Sequence, residues 1–83
     1  MISCNEHDYV EIACMYRFPL RLTLGNGETV EGTAMDTDRN AAGVECIKLA
    51  IGEVHRFIAL EQIETMQACV ENPHFDQVTF GNK

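Results

Sequence analysis

Near the start of the chain, Glu6, Asp8 and Glu11 stand close together, and no basic residue occurs before Arg17. Carboxylates in such a run accept charge-assisted hydrogen bonds from guanidinium and ammonium groups. The run Cys4-Asn5-Glu6-His7-Asp8-Tyr9-Val10-Glu11 also carries an aromatic, and aromatic anchors are common where proteins meet. Two readings are open for these acids. They can be a solvated helix start, where the dipole favours negative charge. Alternatively they form a negative ridge that fits the cations of a partner.

Other chemistry finds little support. The cysteines, Cys4, Cys14, Cys46 and Cys69, form no Cys-x-x-Cys pair, which leaves a zinc ribbon or thioredoxin-like motif unsupported. They read as reduced thiols packed as small hydrophobes. Cys4, His7 and Cys14, completed by His55 or His74, have no standard zinc spacing. Cys4 with His7 is the one local pairing of a nucleophile with a base, and an 83-residue domain has little volume for a substrate cleft. Ser3 is the single serine. No phosphate-binding glycine loop, His-Glu-x-x-His or Gly-x-Ser-x-Gly occurs. The expectation is a protein that is not an enzyme and uses no cofactor or metal.

The charge balance narrows the partners. Thirteen acidic residues face six basic ones, for a net charge of −7. Binding to phosphates gains affinity from Lys and Arg that release counterions. Here Arg17, Arg21, Arg39, Lys48, Arg56 and Lys83 are scattered, so direct nucleic-acid binding is disfavoured. A strongly acidic domain is instead steered toward a basic partner, or is merely kept soluble by its charge. No apolar run is long enough to span a membrane. Met1 to Glu6 lacks the features of a signal peptide, so a cytoplasmic location is expected.

These residues need a scaffold, and the pattern predicts one domain over residues 1–83 with one modest core. Asn5 is a suitable helix N-cap. Tyr9, Ile12, Ala13 and Tyr16 recur at helical spacing as a buried face, with Asp8, Glu11 and Met15 opposite. Pro19 ends the helix. Leu20, Leu22 and Leu24 then alternate as a strand, and Gly25-Asn26-Gly27 makes a hairpin turn. The second strand runs through Val30, Gly32 and Ala34, with the glycine marking a bend. Asp36 to Gly43 reads as a loop. Ile47, Leu49 and Ile51 form strand three, and Gly52-Glu53 turns the chain. Val54, Ile58 and Leu60 form strand four, Thr65 to Cys69 strand five, and Val78 to Phe80 a short last strand. The fold class is mainly β with one N-terminal α-helix: a small, strongly bent, five- to six-stranded antiparallel barrel capped by the helix.

The unit Leu22-x-Leu24-x-x-Gly27, Gly32 and Asp38 resembles the first motif of Sm-like proteins, whose fold has this element order. An RNA-binding module of that kind is the alternative functional reading. The asparagine that helps hold a base in that family falls here on Ala42, and Asn40 is out of register.

A closer resemblance covers nearly the whole chain. Asp8-Tyr9-Val10-Glu11-Ile12-Ala13-Cys14, then Leu22-Thr23-Leu24, Gly27, Gly52-Glu53 and Leu60-Glu61-Gln62-Ile63, resemble the Rho-binding antiterminator family (Rof/YaeO-like) in order. The resemblance implies an inhibitor of Rho-dependent transcription termination. Such a protein binds the N-terminal RNA-binding domain of Rho and keeps RNA from its primary site. It further implies Rho contacts at Glu6, Asp8 and Glu11, with Cys4, Asn5, His7 and Tyr9 alongside. Asn5 and His7 depart from the acidic and aromatic residues expected at those positions.

Overall fold

Apolar alternation along the chain closes into a sheet wrapped around Leu20, Leu22 and Leu24. The structure is a computed structural model that describes the backbone of residues 4–80 and the side chains of residues 7–80. Helix α1 (Cys4–Met15) precedes strands β1 (Pro19–Leu24), β2 (Thr29–Arg39), β3 (Glu45–Ile51) and β4 (Val54–Ala59). A single 3-10 turn (Leu60–Gln62) leads into β5 (Ile63–Ala68), and β6 (Gln77–Thr79) ends the series. The strands form one antiparallel sheet in the order β4-β3-β2-β1-β5-β6. It is a bent, open barrel, since β4 and β6 stay as edges. The core collects Leu20, Leu22, Val30, Ala34, Ile47, Leu49, Ile58, Ile63 and Met66 from the strands and Val10 and Ala13 from the helix.

The helix ends differently from expectation. Arg17 takes a left-handed conformation (φ 56°). The Phe18 amide donates to the Ala13 carbonyl at 2.9 Å, and the Arg17 amide to the Cys14 carbonyl at 3.3 Å. These two bonds form a Schellman cap, sealed by apolar contact between Phe18 and the end of the helix. Pro19 therefore opens β1 rather than stopping α1. At the other end α1 already includes Cys4, so Asn5 lies inside the first turn and does not cap it. The buried face is also rotated by nearly one residue. Val10 and Ala13 are fully buried, Tyr9 and Ile12 flank them, and Tyr16 is 55 % exposed. Tyr16 instead stacks against both Phe18 and His74, with centroid separations of 5.7 and 5.1 Å.

Strand β2 carries the bend. It pairs with β1 through Thr33 and with β3 from Thr33 onward, with a register shift between Ala34 and Asp36. The expected loop over Asp36 to Gly43 is therefore shorter. Asp36 to Arg39 stay in the strand, paired with Lys48 to Glu45, and a tight turn follows at Asn40. The bulge at Met35 conceals this continuation by breaking the period-two pattern. Leu60 likewise leaves β4 for the 3-10 turn, and β5 begins at Ile63.

Gly32 makes the bend possible. A Cβ there would sit 2.9 Å from the Ala50 carbonyl oxygen and 2.9 Å from Ile51 Cγ1. Backbone cannot yield cheaply, so Gly32→Ala is expected to destabilise the fold by about 1–3 kcal/mol. The denaturant midpoint of the purified variant would report it, and an unchanged midpoint would mean that the two strands separate freely. In the first hairpin the turn needs Gly27 (φ 90°) in the left-handed region, while the Asn26 side chain accepts from the Glu28 amide at 2.9 Å.

Candidate functional site: an acidic surface on the helix and strand two

The helix wheel sorts the residues near the chain start. Asp8 and Glu11 are exposed with Met15 on the face away from the core, as the spacing predicts. Tyr9 is half-buried, and its ring meets Phe75 edge-on at 5.4 Å. Phe75 is held in place by Asn72, whose Oδ1 accepts from the His74 and Phe75 amides at 2.8 and 3.1 Å. Tyr9 thus fixes the helix against the β5–β6 connection. The side chains of Cys4, Asn5 and Glu6 lie outside the described residues.

His7 is a link that sequence reasoning does not find. Its Nε2 lies 2.7 Å from Glu45 Oε2, and its Nδ1 lies 3.7 Å from Glu11 Oε2. Glu45 opens β3, so this contact ties the helix start to the sheet across a long sequence separation. No local signal could reveal it. The hydrogen bond with Glu45 holds the imidazole pKa above its ordinary value. Burial opposes this, while the charges of Glu45, Glu11 and Asp8 reinforce it.

The sign of the pH effect follows. A His whose folded pKa is raised contributes stability that is fully present below about pH 6.5, its unfolded value, and lost as pH rises through the folded pKa. Thermal unfolding followed from about pH 5.5 to about 8.5 is expected to show a stability decline in the parent that His7→Gln flattens. Parallel curves for the two proteins would remove His7 as the cause.

Strand β2 extends the acidic surface. Glu11, Cys14, Met15 and Arg17 on the helix side, with Met35, Asp36 and Thr37 on β2, line a groove of about 370 Å³. Asp36 and Asp38 are both exposed. The Cys14 thiol facing this groove is pushed up to about 11, chiefly by burial and then by Asp36, with Arg17 opposing and Glu11 adding. A thiol so raised is mostly protonated near neutral pH, which disfavours a nucleophilic role. Among the described residues, no group of three His, Cys, Asp or Glu side chains is arranged to hold a metal ion.

Arg21, Arg56 and Arg39 are engaged within the protein. Arg21 Nε pairs with Glu31 at 2.8 Å and Arg56 Nη1 with Glu28 at 3.0 Å. Arg39 donates to the Gly43 carbonyl at 2.8 Å. Asn40, the residue nearest an Sm-type base contact, spends its Oδ1 on the Ala42 and Val44 amides at 2.8 and 3.1 Å. Its side chain builds its own turn.

Comparison with known proteins agrees with this architecture. Residues 1–80 match the family model described as modulator of Rho-dependent transcription termination (ROF). The chain is similar to the solved structure of YaeO bound to magnesium from Vibrio cholerae O395, with a TM-score of 0.86 and 39 % identity. That likeness covers 89 % of this chain and 96 % of the other. No curated protein matches the sequence.

Proposed function

Because the chain belongs to the ROF family of modulators of Rho-dependent transcription termination, we propose that it inhibits termination by covering the RNA-binding groove of Rho with its acidic surface. The family is regulatory rather than enzymatic. In this reading the protein docks on the N-terminal RNA-binding domain of Rho and keeps transcript out of the primary site. Glu6, Asp8 and Glu11 are the anionic contacts, with Cys4, Asn5, His7 and Tyr9 beside them.

The observation that carries the reading is the exposure of Asp8 and Glu11 on a helix face turned away from the core, with Asp36 alongside. A single-stranded RNA groove is a track of cations with stacking aromatics. Carboxylates on a rigid scaffold bind those cations without being nucleic acid. His7, clamped by Glu45, and Tyr9, pinned by Phe75, fix the turn from His7 to Glu11 against the rest of the fold, which lowers the ordering cost of that turn at docking. Encounter between oppositely charged surfaces is fast and weakens as salt rises.

The reading is tested by transcription in vitro on a Rho-dependent terminator. Adding the protein should raise read-through in proportion to its concentration, and undiminished termination at saturating protein would sink the proposal. A labelled pyrimidine-rich RNA mixed with this protein alone should stay free. A bound complex there would favour the Sm-like RNA-binding module instead.

A further inference from the structure

An aromatic on the edge strand is left without a packing role. Phe57 on β4 is 48 % exposed. In the β3–β4 ladder it pairs with Lys48, and in the β2–β3 ladder Lys48 pairs with Asp36. Residues directly opposite one another share a face of the sheet, so Asp36, Lys48 and Phe57 form one cross-strand row. The Lys48 ammonium stands 6.0 Å from the Phe57 ring centroid, near the outer limit of a cation–π contact. Asp36 in turn lines the groove with Glu11. A continuous band therefore runs from the exposed face of α1, across β2 and β3, to the sheet edge. Among the described residues, no strand pairs with the outer edge of β4.

We propose that Phe57 acts as a nucleobase surrogate, stacking on an aromatic of the same RNA groove whose cations the carboxylates occupy. This inference rests on the function proposed above. A groove for single-stranded RNA has two parts, a cationic track for the backbone and aromatic platforms for the bases. Asp8, Glu11 and Asp36 answer the first part and leave the second unfilled. Phe57 supplies a flat π face at the end of the same band. Lys48, whose ammonium stands over the ring at 6.0 Å from its centroid, keeps the row from being uniformly negative. A purely acidic patch would bind any basic surface, whereas acids joined to a stacking ring select a groove that has both parts.

The test is the affinity of the full chain for hexameric Rho across a salt series. Phe57→Ala should weaken binding by about tenfold or more, the range expected when one base-like stacking contact is removed. Because the side chain is neutral, the slope of affinity against salt should stay as in the parent. Phe57→Trp should bind at least as well as the parent. Phe57→Leu, which keeps apolar volume without a π face, should weaken binding as Phe57→Ala does. Thermal unfolding of each variant confirms that the barrel is retained. If Phe57→Ala binds like the parent while Asp8→Lys does not, the stacking role is overturned and the ionic reading survives. If Phe57→Leu binds like the parent, the contact is apolar rather than stacking, and the proposal is again overturned. If neither Phe57→Ala nor Asp8→Lys changes affinity, both readings fall.

Discussion

The double variant Asp8→Lys, Glu11→Lys is expected to lose Rho binding while keeping its fold. Both side chains are exposed; reversing them removes the contact of Glu11 with His7 at 3.7 Å but leaves the buried residues Val10 and Ala13 untouched. Truncating one partner of a desolvated carboxylate–cation pair costs about 2–5 kcal/mol, and reversal adds repulsion. Two reversed sites should therefore weaken binding by at least about a hundredfold. Each single reversal should also fail to bind tightly. One local cost is foreseeable: lysine near a helix N-terminus opposes the dipole by roughly 0.3–1 kcal/mol. Circular dichroism would confirm that the variant is folded, and calorimetric titration against Rho would measure the loss. Parent-like affinity for both single reversals would move the interface off the helix while leaving the family assignment intact.

The second large effect is on stability. Leu22 is fully buried on β1 and sits opposite Val30 of β2 and Met66 of β5. Leu22→Ala would open a cavity between the two halves of the barrel, at a cost of about 2–5 kcal/mol. A domain of this size holds roughly 4–12 kcal/mol in total. Each kcal/mol lowers Tm by about 4–8 °C in so small a chain. The variant should therefore melt far below the parent or be partly unfolded at ambient temperature. Leu22→Met, which conserves volume, should cost less than about 1.5 kcal/mol. A small shift for Leu22→Ala would mean that the barrel collapses around the gap.

Local rules made much of the fold readable. Leu20, Leu22 and Leu24 alternate cleanly because β1 lies between two neighbours and buries one face. The turns at Gly25-Asn26-Gly27 and Gly52-Glu53 are fixed by residues that suit tight reversals. Gly32 marked the bend, since close approach of two backbones requires a missing side chain. The misplacements share a different cause. The continuation of β2 through Asp36 and Asp38 depends on the bulge at Met35, and a bulge erases the periodicity by which strands are recognised. Arg17 carries no sign that it adopts a left-handed conformation, so the later Pro19 looked like the helix stop. Tyr16 kept helical spacing with the core face, yet it lies just past the last helical residue, Met15, and stacks on His74.

The acidic face was legible for the same local reason, because Asp8 and Glu11 follow the helix wheel. The clamp between His7 and Glu45 and the row ending at Phe57 were not. These are products of strand pairing, and they join residues far apart in sequence.

Competition for RNA on Rho addresses the mechanism most directly. A fluorescent pyrimidine-rich oligonucleotide is bound to the RNA-binding domain of Rho, the protein is titrated in, and anisotropy is followed. Displacement of the oligonucleotide, absent with Asp8→Lys, Glu11→Lys, is the predicted result. A stable ternary complex, with RNA still held while the protein is bound, would contradict occupation of the groove.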